Sequence, residues 1–105
     1  MSTRFEHVAI NKKANIYFDG KCVSYTVEFP DHSKKTVGVI QPSTLTFHTD
    51  APEIMEIVSG NCRVRIAEDG EWTRYEAGQR FHVPGASHFD IEAVEPLSYV
   101  CHFGH

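Results

Sequence analysis

Two histidines and one glutamate are the residues of this chain whose types and spacing could bind a metal ion. His48 and Glu53 are separated by four residues, and His88 follows a Pro84-Gly85 pair further along the chain. Two imidazoles and one carboxylate that leave coordination positions open suit Fe(II), Mn(II) or Zn(II). Whether these side chains meet depends on the elements that carry them.

The stretch FHTDAPEIMEIVSG, residues 47–60, fits two different elements. Asp50 followed by Glu53, with Pro52 between them and Gly60 after the apolar run, resembles a short capped helix. Such a helix would span only two turns and would have no amphipathic stripe, so it would be marginally stable. We therefore predict a strand over 53–58, in which alternation places Glu53 and Glu56 on opposite faces.

The rest of the chain alternates strand-sized segments with turn signals. Segments such as KCVSYTVEF, KTVGVI, TLTFH and LSYVCHF are separated by Asp19-Gly20, Asp69-Gly70 and several proline-containing turns. Ser59-Gly60-Asn61 is interpreted as a hairpin turn into CRVRIA. About ten short strands at this spacing are typical of an all-β sandwich or barrel.

Length and composition limit the possible functions. The 105 residues suffice for one domain over 1–105, in which residues 1–13 are expected to add an N-terminal strand or arm. A net charge of −4 argues against nucleic-acid binding, which normally requires a basic surface. The sequence has no apolar run long enough to span a membrane and no signal-peptide pattern, so we expect a cytoplasmic protein without a membrane partner.

The cysteines predict a reduced protein. The chain has three, Cys22, Cys62 and Cys101, and none forms a C-x-x-C pair. Free cysteine behaves as a small hydrophobic residue and is often buried. We therefore expect buried, reduced strand cysteines rather than a zinc site.

The spacing of His48, Glu53 and Gly60, and that of Gly78, Pro84 and His88, resembles the two cupin motifs. In cupins, histidines and a glutamate from neighbouring hairpins converge inside a small antiparallel β-barrel. This resemblance implies one all-β, cupin-type, jelly-roll-like barrel.

The match to a metal-binding cupin is incomplete. Thr46 occupies the position of the usual first histidine, and His88 lies one residue too close to Pro84. Because a one-residue shift turns a side chain to the other face, the apolar Phe89 should face the interior and His88 should face outward. At most His48 and Glu53 remain as ligands, so no metal site is predicted, and His48 is more typical of a strand-end histidine near solvent.

Longer phrases resemble one family of small bacterial cupins, the pyrimidine/purine nucleoside phosphorylases. The similarity extends from about Ala14 to Phe103, and its most specific parts are YFDGK, KTVGV, the PEIM run that ends in SG, and FHVPGASHF. Asp31-His32 and Gln41-Pro42-Ser43 depart from the family pattern, but both are turns. The resemblance implies phosphate-dependent cleavage of purine and pyrimidine nucleosides to free base and ribose 1-phosphate, with no cofactor besides the phosphate co-substrate.

The implied chemistry assigns roles to particular residues. An oxocarbenium-like transition state requires a nearby carboxylate, for which Glu53 is the candidate catalytic residue. Apolar side chains would form the slot for the base, and a cation would bind phosphate. The predicted substrate-binding residues are Phe47, Met55, Phe81, Phe89, Tyr99 and Lys35. Lys21, Arg80 and His82 are weaker candidates for phosphate binding.

Two other functions remain open from the residues alone. One is a metal-dependent cupin oxygenase or isomerase that uses His48 and Glu53. The other is a non-catalytic cupin that binds a sugar or base. A homodimer is the expected assembly, because small cupins often pair through their edge strands.

Overall fold

The computed structural model describes residues 3–103, so the two residues at each end of the predicted domain lie outside the described part of the chain. Within it, more than half of the residues lie in strands, and the one helical segment is a single 3₁₀ turn at Phe18–Gly20. The strand predicted over 53–58 is confirmed, since β6 spans Glu53–Ser59. None of the helical structure between Thr3 and Phe103 is long and apolar enough to cross a membrane.

Seven strands form the larger sheet. They are β1 (Ala9–Ile10), β2 (Asn15–Tyr17), β3 (Cys22–Glu28), β4 (Lys34–Ile40), β6 (Glu53–Ser59), β9 (Arg80–Val83) and β11 (Leu97–Phe103). Their order is β1-β3-β4-β11-β6-β9, and β2 also pairs with β3. All the pairs are antiparallel. The segment 1–13 thus contributes the short strand β1, which pairs with β3.

Four strands form the smaller sheet. They are β5 (Ser43–His48), β7 (Asn61–Ile66), β8 (Thr73–Glu76) and β10 (His88–Ala93), in the order β5-β10-β7-β8 and antiparallel throughout. Among residues 3–103, no hydrogen-bonded strand pair joins this sheet to the larger one. The all-β, antiparallel prediction is therefore confirmed, but the prediction of a closed barrel is wrong.

The core lies between the two sheets. Its largest fully buried side chains come from both layers, with Ile40, Ile57 and Leu97 on the larger sheet and Phe89 and Ile91 on the smaller one. Burying an aliphatic or aromatic side chain of this size contributes about 1.5–3 kcal/mol to folding. The inward faces of β4, β6, β10 and β11 therefore hold the two sheets together.

The turn at Gly60 differs from its prediction. Its φ of +87° is the left-handed conformation that glycine adopts readily, but β6 and β7 belong to different sheets and do not pair. A Cβ on Gly60 would lie 2.8 Å from the carbonyl oxygen of Pro96, so the residue also allows a close backbone approach. The hairpin interpretation of Ser59-Gly60-Asn61 is wrong, because the turn carries the chain from one sheet to the other.

The hairpin at Asp19-Gly20 is present but wider than predicted. β2 and β3 pair with Tyr17 opposite Cys22, so four residues form the loop instead of two. Both Phe18 and Asp19 have positive φ angles in this loop. The loop places aromatic side chains beside the end of the smaller sheet, where they contact Phe47.

Candidate active site

Strand alternation in β6 directs Glu53 toward the space between the sheets. Met55 is 3% exposed and Ile57 is fully buried, and both share the inward face of β6 with Glu53. Glu53 is the first residue of the strand and pairs with Val83 on one side and Phe103 on the other. Its carboxylate is thus carried by a strand with neighbours on both sides.

Glu53 lines a cavity of about 140 Å³ between the two sheets. The floor consists of buried side chains, namely Ser24, Met55, Phe89, Tyr99 and Cys101. Exposed residues form the mouth, namely Tyr17, His48 and Phe103, and the half-buried Thr36, Phe47 and Glu53 lie between. The cavity is thus apolar over much of its surface, with one carboxylate and a few hydroxyl and thiol groups.

Partial burial changes the acidity of Glu53. Desolvation raises the pKa of its carboxyl group, and the negative charge of Asp50 acts in the same direction. The Cys101 Sγ donates a hydrogen bond to Glu53 Oε1 at 3.4 Å, which opposes part of this rise. A carboxylate with few solvent contacts interacts strongly with a positive charge placed beside it.

Tyr99 supplies a neutral hydroxyl at the floor of the cavity. Its Oη lies 3.3 Å from Cys22 Sγ, and burial raises the pKa of the phenol far above its usual value. A Cβ on Gly38 would lie 2.9 Å from this Oη, so glycine at that position of β4 leaves room for the tyrosine. The Tyr99 hydroxyl therefore stays protonated and can donate or accept a hydrogen bond.

Aromatic rings form one wall of the cavity. Phe47 stacks on Phe89 with ring centroids 5.5 Å apart, and it meets Tyr17 and Phe18 edge to face at 6.1 and 5.4 Å. Phe89 is buried, whereas Tyr17 is exposed at the mouth and Phe18 is exposed outside the cavity lining, so the aromatic rings run from the core to the surface. A planar ligand could stack on rings at its outer end.

Five of the residues predicted for the site line this cavity, namely Phe47, Glu53, Met55, Phe89 and Tyr99. Phe81 is not among the lining residues. It is 2% exposed and packs edge to face on Phe89, with ring centroids 5.7 Å apart. The structure therefore places Phe81 in the core behind the cavity wall.

Lys35 lies on the other side of the larger sheet. In β4 the inward positions belong to Thr36, Gly38 and Ile40, so alternation turns Lys35 outward. Its Nζ is 2.6 Å from His102 Nδ1, and His102 Nε2 is 2.9 Å from Glu56 Oε1. The structure does not bring Lys35 to Glu53, and this lysine is not among the residues that line the cavity.

The potential metal ligands do not converge. In β10, Phe89 is buried, as the apolar pattern of HFDI predicts. The ring of His88 lies beside that of His48, with centroids 5.7 Å apart. His48 is exposed at the mouth, which agrees with its interpretation as a strand-end histidine. Nowhere from Thr3 to Phe103 do three His, Cys, Asp or Glu side chains group closely enough to hold a metal ion.

The cavity contains lining residues that the sequence analysis missed, namely Tyr17, Ser24, Thr36, Cys101 and Phe103. Ser24 lies between Val23 and Tyr25, two residues of the same strand that do not line the cavity. Serine and threonine at alternate positions of apolar strands are the signal that could have identified this lining. Cys101 is buried as predicted, and so are Cys22 and Cys62.

Comparison with known proteins assigns this architecture to a family. The sequence model of the pyrimidine/purine nucleoside phosphorylase family matches residues 12–103. A protein of Thiobacillus denitrificans with that name is 64% identical over 103 residues, which cover 97% of this chain and 99% of the relative. The chain belongs to this family. The resemblance inferred from YFDGK, KTVGV and FHVPGASHF is thereby confirmed.

Solved structures agree with the family assignment. A protein of unknown function from Acinetobacter sp. ADP1 superimposes with a TM-score of 0.94 at 55% identity, and the match covers 97% of this chain and 99% of that one. Oxalate decarboxylase from Lactobacillus farciminis superimposes with a TM-score of 0.69 at 17% identity, over 88% of this chain and 31% of its own. The second likeness shows only that the two proteins share an arrangement of strands.

Proposed function

We propose that this chain is a broad-specificity nucleoside phosphorylase, a pentosyltransferase that converts purine and pyrimidine nucleosides and inorganic phosphate to free bases and ribose 1-phosphate. Membership of the family supports the reaction, since the 64% identical relative has the name pyrimidine/purine nucleoside phosphorylase. The observation that carries the proposal at atomic level is the carboxylate of Glu53 in a largely apolar cavity. Glu53 is the proposed catalytic residue.

Glu53 stabilises the cation that forms when the glycosidic bond breaks. The C1′–N bond leaves its electron pair on the base, and a phosphate oxygen forms the new bond to C1′. The proton that hydrogen phosphate loses balances the one that the base gains. Positive charge develops on the ribose ring between these events, as in glycoside hydrolysis. A carboxylate held in place before the reaction lowers the energy of that transition state.

The size of the cavity indicates how a nucleoside would bind. Pockets that enclose a drug-sized ligand measure about 300–1,000 Å³, and this cavity measures about 140 Å³. We propose that the ribose enters beside Glu53 and Tyr99, while the base stacks on the aromatic wall of Phe47 at the mouth. Every base has a flat aromatic face, so stacking recognises purines and pyrimidines alike. Phe89 and Met55 would bind substrate through their surfaces on the cavity floor.

We also propose that the reaction uses no metal ion or organic cofactor. Glu53 accepts its hydrogen bond from Cys101, and the ring of His48 lies beside His88 on the adjacent strand. A metal bound by His48 and Glu53 alone would have only two protein ligands, which is fewer than catalytic metal sites normally provide.

The assay measures base release from uridine, inosine and adenosine with and without inorganic phosphate. We expect release to require phosphate and to produce ribose 1-phosphate in equal amount. Equal release without phosphate would identify a hydrolase and contradict the proposal. No release from any nucleoside would favour a cupin that binds a sugar or base without cleaving it.

We further propose a cytoplasmic homodimer. The outer face of the larger sheet carries a groove of about 690 Å³ whose apolar lining includes Phe5, Ile10, Val58 and Val100. Phe5, Ile10 and Val58 are exposed, and a second copy would cover them. Light scattering of the purified protein should give the mass of two chains. A monomer mass at micromolar concentration would exclude this assembly.

A further inference from the structure

The cavity offers phosphate no lysine or arginine. Within residues 3–103, its polar lining consists of Glu53, His48 and the hydroxyl or thiol groups of Ser24, Thr36, Tyr99 and Cys101. Glu53 would repel a phosphate dianion placed deep in the cavity, because like charges interact strongly where there is little water. An attacking phosphate must therefore be held toward the mouth, where His48 is the one lining residue that can become positively charged.

His48 does not stand alone at the mouth. It is the last residue of β5, and His88 is the first residue of β10, directly opposite in the antiparallel register. Their rings are tilted by 44° with centroids 5.7 Å apart. His48 is exposed and His88 is half-buried, so solvent and small anions reach the pair.

The charges around the pair set it apart from the rest of the smaller sheet. Two residues further along the strands, on the same face of the sheet, Arg65 donates two hydrogen bonds to Asp90. Asp90 also accepts one from Thr46. After two more residues along the same face, Arg63 donates two hydrogen bonds to Glu92. Each of these arginines has a carboxylate partner.

Among the described residues, the row of the antiparallel register that contains the two histidines has no carboxylate. The backbone neighbour of His88 on the β7 side is Ala67, whose N–H donates to the His88 carbonyl oxygen. Asp90 lies two residues further along β10, and its pKa is lowered mainly by hydrogen bonds from Thr46 and Arg65, with a smaller contribution from the charge of His88. Asp50, two residues beyond His48, acts on Glu53.

We propose that His48 and His88 bind the phosphate co-substrate at the mouth of the cavity, with imidazole N–H groups donating hydrogen bonds to its oxygens. This inference rests on the proposed function for the role of phosphate. Each neutral imidazole offers one N–H donor, and protonation adds a second donor and a positive charge. His48 lines the same cavity as Glu53, so phosphate bound by the pair would lie at the mouth through which the ribose enters.

Kinetics of single variants test the pair. His48→Ala and His88→Ala should each raise the KM for phosphate by about tenfold to hundredfold, as expected for loss of a charge-assisted hydrogen bond. The KM for the nucleoside should change less than threefold. His48→Gln and His88→Gln retain an N–H donor and should recover part of the phosphate affinity, which a merely structural histidine would not explain. His32→Asn is the control, because His32 is an exposed histidine in the turn between β3 and β4, outside the cavity lining.

Phosphate binding without nucleoside separates this inference from the proposed reaction. In NMR spectra of histidine side chains, phosphate should shift the signals of His48 and His88 saturably, while chloride at equal ionic strength should not. The alanine variants assign the two signals. Such shifts without phosphorolysis would support the phosphate site and contradict the proposed reaction. Two results would refute phosphate binding by His48 and His88. One is phosphorolysis with an unchanged KM for phosphate in both alanine variants. The other is phosphorolysis by a protein in which phosphate shifts neither histidine signal.

Discussion

Replacing Glu53 with glutamine isolates the charge that the proposed mechanism requires. Glutamine has nearly the same shape and keeps an oxygen that can accept the hydrogen bond from Cys101. It removes the negative charge beside the ribose. Loss of one such preorganised electrostatic contact costs about 2.7–4 kcal/mol, so we expect kcat to fall by roughly 10²–10³. The assay is initial-rate phosphorolysis of uridine at saturating phosphate.

Stability should not fall in the same variant. Burial raises the pKa of Glu53 in the folded protein, so folding favours the protonated form over the ionised form. The resulting contribution to stability is fully present below the unfolded pKa of about 4.5 and is lost as pH rises through the folded value. At pH 7 the ionised wild-type side chain carries a desolvation cost that Glu53→Gln removes. The free energy of unfolding should therefore stay constant or rise slightly.

The pH dependence of wild-type activity follows from the same shift. Protonated Glu53 cannot stabilise a cation, so kcat should decrease as pH falls through a pKa above 4.5. The acidic limb of the profile should disappear in Glu53→Gln. A limb that persists unchanged would belong to another group.

Glu56→Gln is the matched control. Glu56 lies on the same strand, is half-buried and accepts a hydrogen bond from His102, but it faces the outer side of the larger sheet. Its replacement should leave kcat within about twofold, because its charge lies across the sheet from the cavity. Equal losses in both variants, or a change below about twofold in Glu53→Gln, would refute the assignment of Glu53.

Three further predictions concern metal, core and thiols. Activity should persist after exhaustive treatment with EDTA, and a loss reversed by Mn, Fe or Zn would make His48 and Glu53 metal ligands. Ile91→Ala, at a fully buried position, should lower the free energy of unfolding by about 2–5 kcal/mol in urea titrations, and a change below about 1 kcal/mol would contradict its central place in the core. The thiols of Cys22 and Cys62 are buried outside the cavity lining, and burial raises the pKa of Cys62 to about 11. They should react with a thiol reagent only after unfolding. Rapid reaction in the native state would contradict their burial.

Alternation of apolar and polar residues was sufficient to predict much of the fold. In β10, Phe89 and Ile91 are buried while the residues between them are not, and β6 shows the same pattern around Met55 and Ile57. These strands pack against a filled core, so each inward position requires an apolar side chain. Glu53 could be placed at the cavity because it continues the inward face of β6.

The same rule failed where the inward face borders the cavity. In KTVGVI, the valines Val37 and Val39 resemble core residues, but Thr36 and Gly38 face inward and the valines face the outer side. The core does not fill the cavity, so a threonine or a glycine can face it. Hydrophobicity therefore does not identify the inward face of this strand. For this reason the sequence did not reveal that Lys35 faces away from Glu53.

Long-range pairing explains the other failures. Ser59-Gly60-Asn61 has the local chemistry of a hairpin turn, yet β6 pairs with β9 and β11 instead of β7. Whether two strands on either side of a turn pair depends on which sheets they join, and residues distant in sequence determine that choice. The closed barrel was predicted for the same reason, since strand spacing alone does not distinguish a barrel from two packed sheets.

The central claim is that Glu53 promotes transfer of ribose from a nucleoside to phosphate in the cavity between the two sheets. A ³¹P NMR time course with uridine follows inorganic phosphate and ribose 1-phosphate directly in one sample. The account predicts that wild-type protein and Glu56→Gln convert phosphate to ribose 1-phosphate at similar rates, while Glu53→Gln is slower by roughly 10²–10³. Conversion by Glu53→Gln at the wild-type rate, or consumption of uridine without a ribose 1-phosphate signal, would contradict it.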